Sequence, residues 1–348
     1  MTPQLEISTE GPLGVITLNR PEAINALSHE MIEGIAQTLN GWRDDPAIRL
    51  VVFEGRGSRG FCSGGDVRAA RQMLLDGNPA AADAYFAAEY AMNGLIATYP
   101  KPLAAIGHGA VMGGGIGIFG HCRYRFTLPQ ARFAMPEAAI GFVSDIGVNA
   151  ILAQVPEWRA LAFLMSGLPV GTADALALGL ADAAIDPGRV DVVRSGIRNA
   201  AEAGEPETAL VLLMQTEGIE RGTPPFSALA DRLQAAFAEE TAAEIVAAVT
   251  GAAAQDPEAA PLAEALASRP PTSLEAIVLS HRAARRHPDI RAVLALDLRM
   301  ATLMCRRPDF AEGVRAVLVD KDRNARWQPA TFEAVDRAAL AAVAAARG

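Results

Sequence analysis

The stretch KPLAAIGHGAVMGGGIGIFGHCRYRF, residues 101–126, decides the fold. An apolar run ends in a glycine-rich loop, a short helical period follows, and a further strand closes the segment. Half of positions 107–120 are glycine. Strand, helix and strand in succession predict parallel βα units. The same grammar recurs upstream. IRLVVFEG (48–55) is a continuous apolar run bounded by charge and glycine, the pattern of a strand buried on both faces. RGFCSGGDVRAARQML (59–74) then turns through glycines into a helix.

Toward the N-terminus, LEIST (5–9) and GVITLN (14–19) alternate around Gly11-Pro12 and predict a hairpin. Arg20-Pro21 ends the second strand, because a residue before proline is pushed to extended conformations. Ser28 caps a helix from about His29 to Trp42 with Met31, Ile35 and Leu39 on one face. Downstream, RFAMPEAAIGFVSDIGVNAILAQV (132–155) predicts a short strand, a polar loop and a helix, and LALGLADAAI (176–185) a helix, a turn and a last strand. From about residue 195 the pattern becomes alanine-rich and helical, broken at Gly222-Thr223-Pro224-Pro225 and Arg269-Pro270-Pro271, with a strand at RAVLVD (315–320). These readings divide the chain into an α/β core, 1–195, and a mostly helical region, 196–348.

At 348 residues and 51% hydrophobic content the chain buries a core without staples. Its three cysteines, Cys62, Cys122 and Cys305, are spaced for neither a disulfide framework nor a zinc site, and no metal is expected. A net charge of -9 argues against nucleic-acid and anionic-membrane partners, which need a basic footprint. MTPQLEISTE carries no secretory pattern and no apolar run reaches membrane-spanning length, so a soluble cytoplasmic protein is expected.

Two glycine segments invite chemistry: Phe61-Cys62-Ser63-Gly64-Gly65-Asp66 and Met112-Gly113-Gly114-Gly115-Ile116-Gly117. Each lies between a predicted strand and a predicted helix, where glycine leaves peptide N–H groups uncovered. Brought together, the two loops would hold an oxyanion between one N–H from each. Close helix packing or phosphate binding explains such loops equally well on spacing alone. Neither matches the P-loop pattern, and the dinucleotide fingerprint lacks its acidic residue at a second strand's end. Cys62 reads as a packing residue, since no histidine stands beside it in the sequence.

ITLNRPEAINALS (16–28), FCSGGD (61–66), HGAVMGGGIG (108–117) and AMPEAAIG (134–141) resemble the enoyl-CoA hydratase/isomerase (crotonase) superfamily. The resemblance implies an α/β fold, a crotonase-like spiral of ββα units with an extended helical C-terminal region. It also implies a site in which the amides of Gly65 and Gly114 polarise the thioester carbonyl of an acyl-CoA. Within the superfamily the chain is similar to the 3-hydroxyisobutyryl-CoA hydrolases, through Glu89-Tyr90, the Met135-Pro136-Glu137 turn, Asp145, and the tail DFAEGVRAVLVDKDRNARW (309–327). That likeness covers nearly the whole chain and implies thioester hydrolysis in valine breakdown. Coenzyme A is then part of the substrate and no separate cofactor is needed, and a homo-oligomer is compatible with the superfamily's habit.

By the same resemblance Glu137 is the catalytic carboxylate, as nucleophile or as general base, Asp145 binds the 3-hydroxyl or assists proton transfer, and Glu89 lines the acyl pocket. Ala26 and Ser63, through their backbones, and Asp66 would contact the substrate. The hydratases carry a second glutamate where this chain has Gly117, which argues against simple hydration. An enoyl-CoA hydratase or isomerase and a non-catalytic acyl-CoA-binding protein are the alternatives. The sequence departs from the hydrolases at Val143-Ser144-Asp145-Ile146-Gly147, which lacks their proline and most of their glycines, and at Asp297, where a glutamate is common. Five arginines between Arg49 and Arg71 (49, 56, 59, 68, 71) oppose Glu54 and Asp66 and suggest a local field for the CoA phosphates.

Overall fold

The computed structural model describes residues 3–220 and 222–346. The chain forms two compact units, each assembled from three segments: Met1–Gly65, Ala91–Phe133 and Val170–Pro224 in the first, and Asp66–Tyr90, Ala134–Pro169 and Pro225–Gly348 in the second. The boundary expected near residue 195 lies inside the helix Val190–Glu202.

The first unit carries a sheet in the order β1 (Leu5–Glu10), β2 (Leu13–Leu18), β3 (Leu50–Gly55), β5 (Leu103–Gly107), β7 (Tyr124–Thr127), β9 (Ala183–Ala184). β1 and β2 form the expected hairpin, and every later pairing is parallel, with Ile16 opposite Phe53 and Val52 opposite Ala104. Leu50, Val52, Ala104, Ile106 and Phe126 bury one sheet face against Val193, Ile197 and Leu210. At about 1.5–3 kcal/mol for each large side chain, that apolar face is the main source of the sheet's stability. The helix His29–Arg43 starts as expected, with the Ser28 hydroxyl accepting from the Met31 amide at 3.3 Å. A smaller sheet orders β4 (Gly60–Cys62), β6 (Ala110–Met112) and β8 (Arg132–Ala134). Its first two strands each run straight into one of the glycine segments.

The second unit is helical. Pro271–Arg286 is buried along most of its length and packs against Glu157–Ser166, Ile290–Cys305 and Arg337–Ala345. Phe86 stacks on Phe142 at 5.1 Å between ring centroids, and Phe142 lies 5.2 Å from Phe310, which ties the helix Pro79–Ala97, the segment after Glu137 and the tail together. Two expectations are corrected here. The strand at 315–320 is instead a wide helical turn, Arg315–Val319, closed by the Asp320 amide on the Arg315 carbonyl at 2.8 Å. The Arg315 guanidinium gathers Glu312, Asp320 and Asp322, each within 2.8 Å, and the chain must coil to bring three carboxylates to one cation. The polar loop expected between the strand and the helix of 132–155 is buried over residues 141–147.

Candidate active site

Within the first unit, the Asn25 side chain holds the loop before the first glycine segment. Its amide nitrogen donates to the carbonyls of Arg56, Gly60 and Phe61 at 2.9, 3.1 and 3.0 Å, and its carbonyl oxygen accepts from the Arg20 amide at 2.8 Å. A fully satisfied buried amide of this kind fixes a loop firmly. The Leu27 amide donates to the Gly64 carbonyl at 2.8 Å. Gly64 has φ +111°, and a Cβ there would stand 3.3 Å from the Met112 carbonyl oxygen and 3.5 Å from the Gly114 nitrogen. The two glycine segments therefore lie against each other. The amides of Gly65 and Gly114 have no acceptor among the described residues. Two uncommitted N–H groups in adjacent loops are the elements of an oxyanion hole.

The other residues expected around this loop are more committed. Ser63 donates its amide to the Ile24 carbonyl at 2.9 Å and its hydroxyl to the Ala23 carbonyl at 3.1 Å. The Ala26 carbonyl accepts from Arg20 at 2.8 Å. Cys62 is buried with its thiol against the Asn25 carbonyl, a packing role. Arg49 and Arg59 donate to backbone carbonyls and Arg56 pairs with Glu6 at 2.7 Å, so these cations already have protein partners.

Six carboxyl groups are buried among the described residues of the second unit; Glu275 and Asp309 have partners elsewhere, and Glu89, Glu137, Asp145 and Asp297 are electrostatically linked. Glu137 sits in a single helical turn, Pro136–Ile140, whose fixed proline φ starts it and whose end is Gly141 at φ +70°. The Phe142 amide returns to the Glu137 carbonyl at 3.0 Å. The Tyr90 hydroxyl donates to Asp145 Oδ2, and Asp297 Oδ2 accepts the Gly147 amide at 2.8 Å. Ile146, at φ +55°, puts a β-branched residue in the left-handed region, a conformation held at a cost of about 1–3 kcal/mol. The loop that lacks the expected glycines is thus pinned at both sides of that residue. His281, which the sequence reading passed over, donates from Nδ1 to Asn149 Oδ1 at 3.0 Å, and Asn149 reaches the Ser144 carbonyl at 3.4 Å. Burial, then the Arg285 and Arg282 charges, push the His281 pKa down to about 3, so it serves as a neutral strut. In the same unit Asp66 caps the helix Val67–Leu75, accepting from the Ala69 amide at 3.4 Å. Arg68 and Arg71 of that helix donate to the Leu318 and Ala311 carbonyls.

Burial dominates the electrostatics of this cluster. It raises Glu137 well above the usual carboxylate range, with the Asp145 and Glu89 charges adding to it. Asp145 is also raised by burial, opposed by the Tyr90 hydrogen bond, and Asp297 by burial and then by Asp145. Burial followed by the Asp145 charge carries Glu89 from 4.5 to about 8. Glu89 Oε1 and Glu137 Oε2 have no hydrogen-bond partner among the described residues. The folded chain keeps the Glu89 proton up to about pH 8, whereas the unfolded chain loses it near 4.5. Folded protein then binds more protons across that interval, and Glu89's contribution to stability is full below it and falls as pH rises through it. Glu89→Gln is expected to remove that decline. In thermal melts the variant's advantage over the parent should grow between pH 5 and pH 9, and an equal difference at both ends would refute the assignment.

The model of the enoyl-CoA hydratase/isomerase family matches residues 13–344. The mitochondrial 3-hydroxyisobutyryl-CoA hydrolase of Gallus gallus is 32% identical over 335 residues, covering 94% of this chain and 85% of the relative. Among solved structures, a carnitinyl-CoA dehydratase from Mycobacterium thermoresistibile superposes with a TM-score of 0.89 at 31% identity, covering 99% of this chain and 96% of the other. An enoyl-CoA hydratase from Rhodobacter sphaeroides 2.4.1 gives 0.88 at 32% identity, covering 99% and 97%. The glycine segments, the Glu137 turn and the helical tail all lie within the matched span, and the chain belongs to the enoyl-CoA hydratase/isomerase family.

Proposed function

We propose that this protein hydrolyses acyl-CoA thioesters, with 3-hydroxyisobutyryl-CoA as substrate and 3-hydroxyisobutyrate and coenzyme A as products, a step of valine breakdown. The relatives bearing hydrolase names support the acyl group. The similar solved structures bear lyase titles, so the choice between the reactions rests on one observation. A Cβ built at Gly117 would stand 2.9 Å from Asn93 Oδ1 and 3.0 Å from its Nδ2, closer than packed atoms approach. The position at which the hydratases hold their second glutamate is therefore bare here and already walled by an amide. That leaves Glu137 as the carboxylate for the reaction.

In this reading the Gly65 and Gly114 amides take the negative charge that forms on the thioester oxygen. One such donor contributes about 2.7–4 kcal/mol to transition-state stabilisation. Glu137 Oε2, which no protein group occupies, accepts a proton from water. The water oxygen bonds to the acyl carbon, the C–S bond breaks with its electron pair on sulfur, and the proton passes to the thiolate. Asp145, oriented by Tyr90, accepts the substrate 3-hydroxyl. A buried acceptor left unpaired penalises acyl groups that lack the hydroxyl.

The test follows thiol release from 3-hydroxyisobutyryl-CoA, 3-hydroxypropionyl-CoA and crotonyl-CoA side by side, with enoyl absorbance recorded for the last. Fast thiol release from the hydroxyacyl thioesters and none from crotonyl-CoA is the expected result. Loss of enoyl absorbance without thiol would make the protein a hydratase instead.

A further inference from the structure

Asn93 is wholly buried, and neither its Oδ1 nor its Nδ2 has a hydrogen-bond partner among the described residues. Native interiors rarely tolerate this, because an orphaned amide forfeits its hydration without replacement. Its neighbour explains where it points. Both polar atoms lie broadside against the bare Cα of Gly117, within about 3 Å of the place a side chain would begin. Gly117 is three residues after Gly114 in the helix Gly114–Phe119, an axial rise of about 4.5 Å, so the two residues share a face of that helix. The Gly114 amide and the Asn93 carboxamide are thus both uncommitted hydrogen-bonding groups set against this one short helix. Cys62 and Asn25, in contrast, are buried polar groups of the same unit that have found partners.

We propose that the Asn93 carboxamide binds the water molecule that cleaves the thioester, with Oδ1 accepting one water proton and Nδ2 donating to a neighbouring oxygen of the substrate or water. This rests on the hydrolase reading above. The amide is neutral across the working pH range, so it orients water without taking up its proton. A glycine at 117 places no side chain between these two polar atoms and the helix Gly114–Phe119. The thioester itself needs no such group, since its carbonyl oxygen is taken by the two amides and its sulfur is a poor acceptor. What remains to be held is the nucleophile.

The experiment compares the parent, Asn93→Ala and Asn93→Asp with 3-hydroxyisobutyryl-CoA in the presence and absence of hydroxylamine, after subtraction of the uncatalysed reaction. Acid and hydroxamate are measured together. Hydroxylamine attacks the polarised acyl carbon with its own lone pair and does not depend on a positioned water. For Asn93→Ala, acid formation should fall by about 30- to 100-fold with KM changed by less than about threefold. The hydroxamate-to-acid ratio should rise by about tenfold or more. A merely structural asparagine would lower both products together, and an unchanged ratio overturns the proposal whatever the rates do. Asn93→Asp keeps the size and one acceptor, so it reads the same ratio should the alanine variant fail to fold. A parent enzyme that releases no thiol from hydroxyacyl-CoA would remove the hydrolase reading and this inference with it, and that outcome is seen before any variant is compared.

Discussion

Glu137→Gln is expected to lower kcat for thiol release by about 10²–10⁴-fold, the range that a positioned general base supplies. The glutamine matches the carboxyl in size and keeps an acceptor, so the turn Pro136–Ile140 should hold and CoA binding by titration calorimetry should persist. Retained activity would displace Glu137 from the mechanism. The parent pH profile carries the same information. Since burial raises the Glu137 pKa, the carboxylate that activates water is populated only above the ordinary range. The kcat/KM profile should therefore rise toward alkaline pH on a limb displaced upward from the usual carboxylate value, and that limb should vanish in the variant.

Gly313→Ala should have the largest effect on stability. A Cβ at Gly313 would come within 2.3 Å of the Ile140 carbonyl carbon, and one at Gly141 within 2.2 Å of the Asp309 oxygen. The helix Pro308–Val314 and the Glu137 turn thus meet backbone to backbone, and both contacts are with atoms that no rotamer change can move. Forcing a methyl between them should cost about 3 kcal/mol or more. At about 2–4 °C per kcal/mol for a unit of this size, the melting temperature should fall by roughly 6–12 °C. Turnover should fall with it, because Ile140 is three residues from Glu137. A melt within a degree of the parent would show that the two backbones separate freely.

Local features were legible in the sequence. Ser28, Pro21 and the alternation of residues 5–19 act through neighbours a few positions away, and the hairpin and first helix formed as read. Glycine spacing likewise exposed the two loops. Val317, Leu318 and Val319 misled, since β-branched alternation carries no trace of a cation that gathers acids from 312 to 322. The groups that tune the site were invisible for a different reason. Tyr90 meets Asp145 across 55 positions, and Gly147 meets Asp297 across 150. Asn93 and Gly117 have meaning only as a pair, and a missing hydrogen bond leaves no mark on a sequence. The departures at Ile146 and Asp297, which looked like two separate losses, turn out to bear on one loop.

The seam between Gly141 and Gly313 also bears on how such a protein can change over generations. The turn that presents Glu137 has its backing supplied from far downstream, by a helix in the tail. A deletion that shed the tail would strip that support in the same event, and a side chain added on either side of the seam would break the match. The turn that carries the carboxylate and the helix that backs it are therefore expected to tolerate change only together.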